Sequence, residues 1–306
     1  MRLVFAGTPD PAVESLRALR ASDHEIAAVI TRTDAPLGRK RILTPSPVAQ
    51  AADEAGLPVL KADRLDDEMT ARVAALRPDL GVIVAYGALV RAPLLAVPRL
   101  GWINLHFSLL PRWRGAAPVQ RALIAGDAET GTSVFQLTPG LDEGDVFAQE
   151  ASRIPPSATA DQLLAQLARS GARQLVDVVD RLAAGTATAV AQGEPSTYAA
   201  KLEAEDGRLD WTATAETILG RFRGTTPEPG AFTTIDGARL KIHELRRADA
   251  EVALAPGALR GEGAAVLVGT GSDPLAIVTV QPAGKSAMAA GDWWRGLRTS
   301  SPVAGS

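Results

Sequence analysis

A chain of 306 residues, 46% of them hydrophobic, is long enough for two cores at about 100–200 residues per domain. It has no cysteine and only three scattered histidines, His24, His106 and His243, which excludes disulfide scaffolds, thiolate nucleophiles and a histidine metal cluster. A net charge of −3 argues against a general nucleic-acid binder, and no apolar run approaches the roughly 20 residues of a membrane span, so a cytoplasmic, metal-free enzyme is expected.

Residues 2–6 form an apolar strand ending at Gly7, and Pro9-Asp10-Pro11 opens a helix through about Arg20. A β-branched strand follows over 26–31. Ser46 is placed as an N-cap with Pro47 at the first helical position, and Gly56 stands where that helix must stop. Residues 59–60 read as a short strand, 66–76 as a helix, 80–85 as a fully apolar strand, 101–106 as another strand and 116–124 as a helix. Strands separated by such helices predict a mostly parallel, Rossmann-like α/β sheet with helices on both faces. Residues 132–138 and 146–153 read as an antiparallel pair, and 161–182 as the longest helix. A polar stretch over 189–206 is expected to be a linker. From Gly207 onward, short β-prone pieces at 231–235, 239–244, 264–268 and 276–281 are punctuated by glycine and proline, which predicts a small OB-like barrel. The expected division is therefore 1–188, a linker at 189–206, and 207–306.

Three features carry candidate chemistry. Asn104 and His106 are two apart on a strand, so they share a face, at the carboxyl end where open α/β sheets place their crevices. Such a pair serves either catalysis or the loop backbone groups nearby. Asp142 sits in the glycine-framed run Gly140-Leu141-Asp142-Glu143-Gly144-Asp145, which reads as a solvated acidic turn or as a carboxylate aimed at an imidazole. Its spacing misses the calcium-loop pattern. Finally, Arg32, Arg39, Lys40 and Arg41 against Asp34 give the segment 31–48 a local charge of +3. That run is a solvated loop or a phosphate-contacting arm. No GxGxxG, Walker A or GxSxG run occurs.

The run Asn104-Leu105-His106-Phe107-Ser108-Leu109-Leu110-Pro111-Arg112-Trp113-Arg114-Gly115-Ala116-Ala117-Pro118 closely resembles the motif of the folate-dependent formyltransferases. Gly7-Thr8-Pro9-Asp10, Thr44-Pro45-Ser46-Pro47-Val48, the Asp142 loop, Tyr198-Ala199-Ala200-Lys201-Leu202 and Glu205-Asp206-Gly207-Arg208-Leu209-Asp210-Trp211 extend the resemblance along nearly the whole chain. It implies 10-formyltetrahydrofolate as donor and the α-amino group of initiator Met-tRNA as acceptor, with no metal. It further implies Asn104, His106 and Asp142 as the catalytic trio, with Asp142 orienting the imidazole. Ser108, Leu109, Leu110 and Pro111 are the implied folate contacts, and Arg39, Lys40 and Arg41 become the tRNA-contacting arm. Asn104 and His106 would donate to the oxyanion that builds up when an amine attacks the formyl carbon.

Around the run 32–34 and at Gly224-Thr225-Thr226-Pro227-Glu228-Pro229-Gly230 the chain departs from the family pattern. Residues 207–306 carry 11 basic and 10 acidic side chains, a weak attraction for tRNA. A nucleotide-sugar formyltransferase would not need the basic run, a 10-formyltetrahydrofolate hydrolase would not need the second domain, and a vestigial tRNA-binding module would not keep the trio. The chain is expected to work as a monomer.

Overall fold

The computed structural model describes residues 1–38, 40–249, 252–297 and 302–305. They form two compact units. The first comprises Met1–Pro118, Glu129–Arg153 and Leu164–Ala199; the second comprises Val119–Ala128, Ile154–Leu163 and Ala200–Ser306.

The first unit opens with β1 (Arg2–Gly7), α1 (Asp10–Arg20) and β2 (Glu25–Thr31), followed by the hairpin β3 (Ala35–Leu37) and β4 (Ile42–Thr44). Next come α2 (Pro47–Glu54), β5 (Val59–Lys61), α3 (Asp67–Ala75), β6 (Leu80–Val84), the single turn α4 (Ala92–Leu95) and β7 (Trp102–His106). The short β8 (Arg114–Gly115) leads to α5 (Pro118–Ala125), which from Val119 on belongs to the second unit. The antiparallel pair β9 (Glu129–Gln136) and β10 (Val146–Arg153), then α6 (Ala160–Ala183), in the first unit from Leu164 on, and β11 (Tyr198–Ala199) follow. The seven-stranded sheet runs β10-β9-β7-β6-β1-β2-β5, parallel from β7 to β5 and antiparallel at its β9–β10 edge.

Burial explains the strand composition. Apart from Arg2, every residue of β1 is buried, as is every residue of β6, so both strands are apolar throughout rather than alternating. Gly81 in β6 has a packing reason: a Cβ there would lie 2.1 Å from the ring of fully buried Trp102. The helix starts follow their caps. The Ser46 hydroxyl accepts from the Ala49 N–H, Pro47 begins α2, and the Asp66 side chain caps α3 through the Met69 N–H. Gly56 takes φ +68 just past α2. Lys40 and Arg41 of the basic run, read from sequence as a solvated loop or a phosphate-contacting arm, lie between β3 and β4 at the turn of a hairpin. The stretch expected to be a linker makes a two-residue parallel pairing, Tyr198–Ala199 against Arg114–Gly115.

In the second unit α7 (Ala215–Thr225) packs beside an antiparallel sheet of β12 (Phe232–Ile235), β13 (Ala238–Arg247), β14 (Leu259–Glu262), β15 (Ala265–Val268) and β16 (Leu275–Pro282), ordered β12-β13-β16-β15-β14. β17 (Met288–Ala289) pairs with β16, and α8 (Ala290–Arg295) follows. Val303 bridges Ala258 before β14, and Ala304 bridges Ile235 of β12, so this short segment joins the two free edges and curls the sheet toward a barrel. Trp211, Ile218, Phe222, Leu240, Ile242, Val266 and Ile277 fill its core. The sequence pattern misses α7 and α8. Among the described residues no helix is long and apolar enough to cross a membrane.

Candidate active site

After β5 the first unit's chain returns to the other side of β1 to lay down β6, so the strand order switches between β1 and β6. Open α/β sheets hold ligands outside the carboxyl ends of their strands at such a point. A cavity of about 620 Å³ lies there. It is lined by Pro9 after β1, by Ile83 and the segment 85–90 after β6, by Asn104 and His106 of β7, by Gly115 and Ala116, and by residues 137–142 after β9.

The structure brings Asn104, His106 and Asp142 together in this cavity. The side-chain oxygen Oδ1 of Asn104 is buried and receives no hydrogen bond among the described residues. A buried amide with an open polar atom at a cavity wall is a group that a polar ligand completes. His106 is 6% exposed and stands edge-on to the Phe135 ring, at 6.4 Å between centroids. Its Nε2 lies 2.8 Å from the Trp113 carbonyl oxygen. That oxygen can only accept, so Nε2 carries the hydrogen and Nδ1 faces Asp142 Oδ2 at 3.8 Å.

Asp142 Oδ2 accepts the Gly115 N–H at 2.8 Å and lies at ion-pair distance from the ring, while the imidazole's contact within hydrogen-bonding distance is the one to the Trp113 carbonyl. Trp113 itself is left-handed, at φ +63, an uncommon conformation for a bulky side chain. Its N–H donates to Thr197 Oγ1 at 2.9 Å, which helps hold the carbonyl toward His106.

Ser108, Leu109, Leu110 and Pro111 are absent from the cavity lining. They form the turn behind it. Ser108 Oγ donates to the Arg112 carbonyl at 2.6 Å, and Ser133 Oγ donates to the Ser108 carbonyl at 2.6 Å. Gln149 Nε2 donates to the Leu110 carbonyl at 2.7 Å. Sequence reasoning missed the wall at 85–90, whose signal was Gly87 just after an apolar strand. Ala85 at φ +47 and Gly87 at φ +85 turn the chain there. Tyr86 closes it from behind, donating to the Ala62 carbonyl at 2.8 Å, and burial with the nearby Asp63 charge pushes its phenol up to about 12.

Of the basic run, Lys40 and Arg41 are exposed at the hairpin turn, while Arg39 lies outside the described residues. Leu37, Ile42 and Leu43 beside them are 62–68% exposed. The hairpin is tied at its base. Thr33 gives its N–H and hydroxyl to Asp63, and Lys61 pairs with Asp34 at 2.8 Å.

A family model described as formyl transferase matches residues 1–179, and one described as formyl transferase, C-terminal domain, matches 201–298. The methionyl-tRNA formyltransferase of Leifsonia xyli subsp. xyli is 62% identical over 97% of both chains. That of Clavibacter sepedonicus is 56% identical over 99% of this chain and 100% of its own. The fold is shared with an N-formyltransferase from Helicobacter canadensis, solved with folinic acid and dTDP-3-aminofucose. Its TM-score is 0.69 at 17% identity, covering 92% of this chain and 98% of that one. With both domains matched and relatives this similar along nearly its whole length, the chain belongs to the formyl transferase family.

Proposed function

We propose that the protein transfers the formyl group of 10-formyltetrahydrofolate to the α-amino group of initiator methionyl-tRNA, working as a cytoplasmic monomer. The observation that carries the chemistry is the convergence of Asn104, His106 and Asp142 on one cavity. The residues present fit the donor. Ile83, Val90, Leu137 and Leu141 give an apolar wall for a flat ring system, and the polar trio stands at one place on it.

The donor supplies a formyl carbon open to attack by an amine. Asn104 donates an amide N–H to the oxygen that gains negative charge, in a partly buried site where such a bond is worth most. His106, its Nε2 hydrogen already held by the Trp113 carbonyl, uses Nδ1; a second proton there makes an imidazolium facing both that oxygen and Asp142. Asp142 stabilises that charge and accepts the proton that the amine nitrogen sheds once it has bonded to the formyl carbon. As the carbonyl re-forms, the bond from that carbon to the folate nitrogen breaks and the leaving nitrogen takes up a proton. Ser108–Pro111 act behind the cavity, by fixing the turn that carries Trp113.

The acceptor reading is supported by the similarity to methionyl-tRNA formyltransferases, by the exposed Lys40 and Arg41 hairpin, and by the second unit. There the outward residues of β13 include Arg239, Lys241 and His243, a basic stripe on a barrel of the kind that binds single-stranded nucleic acid. We assign tRNA contact to Arg39, Lys40, Arg41 and the domain 207–306. The test is to offer labelled 10-formyltetrahydrofolate with methionyl initiator tRNA or with a nucleotide-linked amino sugar. Label in the tRNA supports the reading; label in the sugar alone overturns it.

A further inference from the structure

Two loops carry the site's backbone. One runs 107–115 and presents the Trp113 carbonyl and the Gly115 N–H. The other runs 138–145 and presents Asp142. Neither is a helix or strand of the main sheet, and Asp142 itself is left-handed at φ +50. Something has to fix their separation, because the Gly115–Asp142 bond is a single contact.

The segment 190–199 touches both. Val190 exchanges backbone hydrogen bonds with Val146, at 2.8 and 2.9 Å, which sets its register against β10. Two residues later, Gln192 Nε2 donates to the carbonyls of Asp142 and Gly144, both at 2.8 Å. Its Oε1 accepts two N–H groups from the buried guanidinium of Arg114, at 3.0 and 2.7 Å. Further on, Thr197 accepts from Trp113 through Oγ1 and from the Arg114 N–H through its carbonyl. One primary amide thus spends both hydrogens on one loop and its oxygen on the other. A cation on the oxygen side strengthens the donors on the nitrogen side.

We propose that Gln192 is a positioning residue for formyl transfer: it clamps the Asp142 loop to the Arg114 loop and so sets the place of the Asp142 carboxylate against His106. The proposal rests on the reading of Asp142 given above. No other side chain has the required shape. A carboxylate would pair with Arg114 but would set its oxygens against the two carbonyls, and an alkyl chain would leave both loops unlinked.

Gln192→Met keeps the length and removes all four bonds. Its expected effect is a fall in kcat of about 10- to 100-fold, the scale of a misplaced catalytic group, with the donor KM held within about twofold. Gln192→Glu keeps the Arg114 contact and loses both donors; it is expected to be as slow, and it reports if the Met variant fails to fold. Asp142→Asn serves as the partner variant, since asparagine tolerates the left-handed backbone and still accepts the Gly115 N–H. In that background the Gln192 substitutions are expected to change kcat by less than about twofold, because residues acting as a unit are not additive. A Gln192 variant at the wild-type rate beside a slow Asp142→Asn overturns the clamp alone. Equal losses in the wild-type and Asp142→Asn backgrounds also overturn it, since the residue would then act on general stability. Asp142→Asn at the wild-type rate overturns the reading of Asp142 and the clamp with it.

Discussion

The proposed catalytic face and the basic hairpin belong to the same α/β unit and are built in opposite ways. Around the trio, polar groups are partly or fully buried and tied from several sides: His106 by a carbonyl, Asp142 by a backbone amide, and its loop by Gln192. The hairpin is anchored at its base by Thr33 and Lys61, and beyond that its apolar and cationic side chains face solvent. The difference suits the two tasks proposed for them. A group that stabilises developing charge must be in place before the reaction, since reorganising it then would raise the barrier. A group that meets a large polyanion gains from reach and from an unburied charge.

The strongest test of this contrast is Asn104→Ala. Removing one preorganised donor is expected to lower kcat about 100- to 1,000-fold. Steady-state kinetics should show that loss while calorimetry finds donor affinity nearly unchanged. An unaltered kcat would break the contrast at its centre.

Next in size is the frame behind the face. Gly81→Ala drives a methyl into Trp102, whose indole N–H is bound to the Leu94 carbonyl at 2.9 Å and has no room to retreat. Overpacking of this kind costs about 1–3 kcal/mol. Denaturant melts should read it as a lower midpoint; an unchanged midpoint would show the sheet to be softer than its burial implies.

At the hairpin the expected effect is smaller and of another kind. Lys40→Ala with Arg41→Ala should raise the tRNA KM by about tenfold or less and flatten its salt dependence by up to roughly 1.5 in log–log slope, for two lost phosphate contacts. kcat should hold. A fall in kcat with constant KM would mean that the hairpin takes part in the reaction geometry.

What could be read from the sequence divides along the same line. Strands such as β1 and β6 were visible because burial on both faces demands unbroken apolar runs, and α2 because Ser46, Pro47 and Gly56 mark both its ends. Asn104 and His106 stood out as a polar pair on an apolar strand, with the resemblance giving them their roles. The contacts that hold the trio were hidden, since a backbone carbonyl at Trp113 leaves no trace in residue type and Gln192 is one amide in a polar stretch. Helix α7 was hidden for a packing reason. Gly220 and Gly224 look like helix breakers, yet a Cβ at either would meet the Leu123 or Gln120 carbonyl at 2.8 or 2.7 Å. Close approach of α5 outweighs their low helix propensity.

The smallest expected effect concerns a polar contact with no part in the reaction. In the second unit Asp206 pairs with Arg121 at 3.1 Å and accepts the Glu203 N–H at 2.8 Å. Burial alone would raise its pKa, but the Glu203 N–H and the Arg121 guanidinium outweigh burial and hold it below the usual carboxylate value. A carboxyl depressed in the folded state stabilises fully above its unfolded pKa, near 3.9, and loses that contribution as pH falls through the lower folded value. Asp206→Asn keeps an acceptor for Glu203 and removes the charge. It should lower Tm at pH 7 by a few degrees at most, in line with about 1 kcal/mol or less for a partly exposed pair. Melts taken from pH 7 down to pH 3 should show the gap between variant and wild type narrowing, with kcat unchanged at neutral pH. A gap that persists in acid would assign the contribution to packing rather than charge, whereas a loss of kcat would tie this ion pair to the catalytic face.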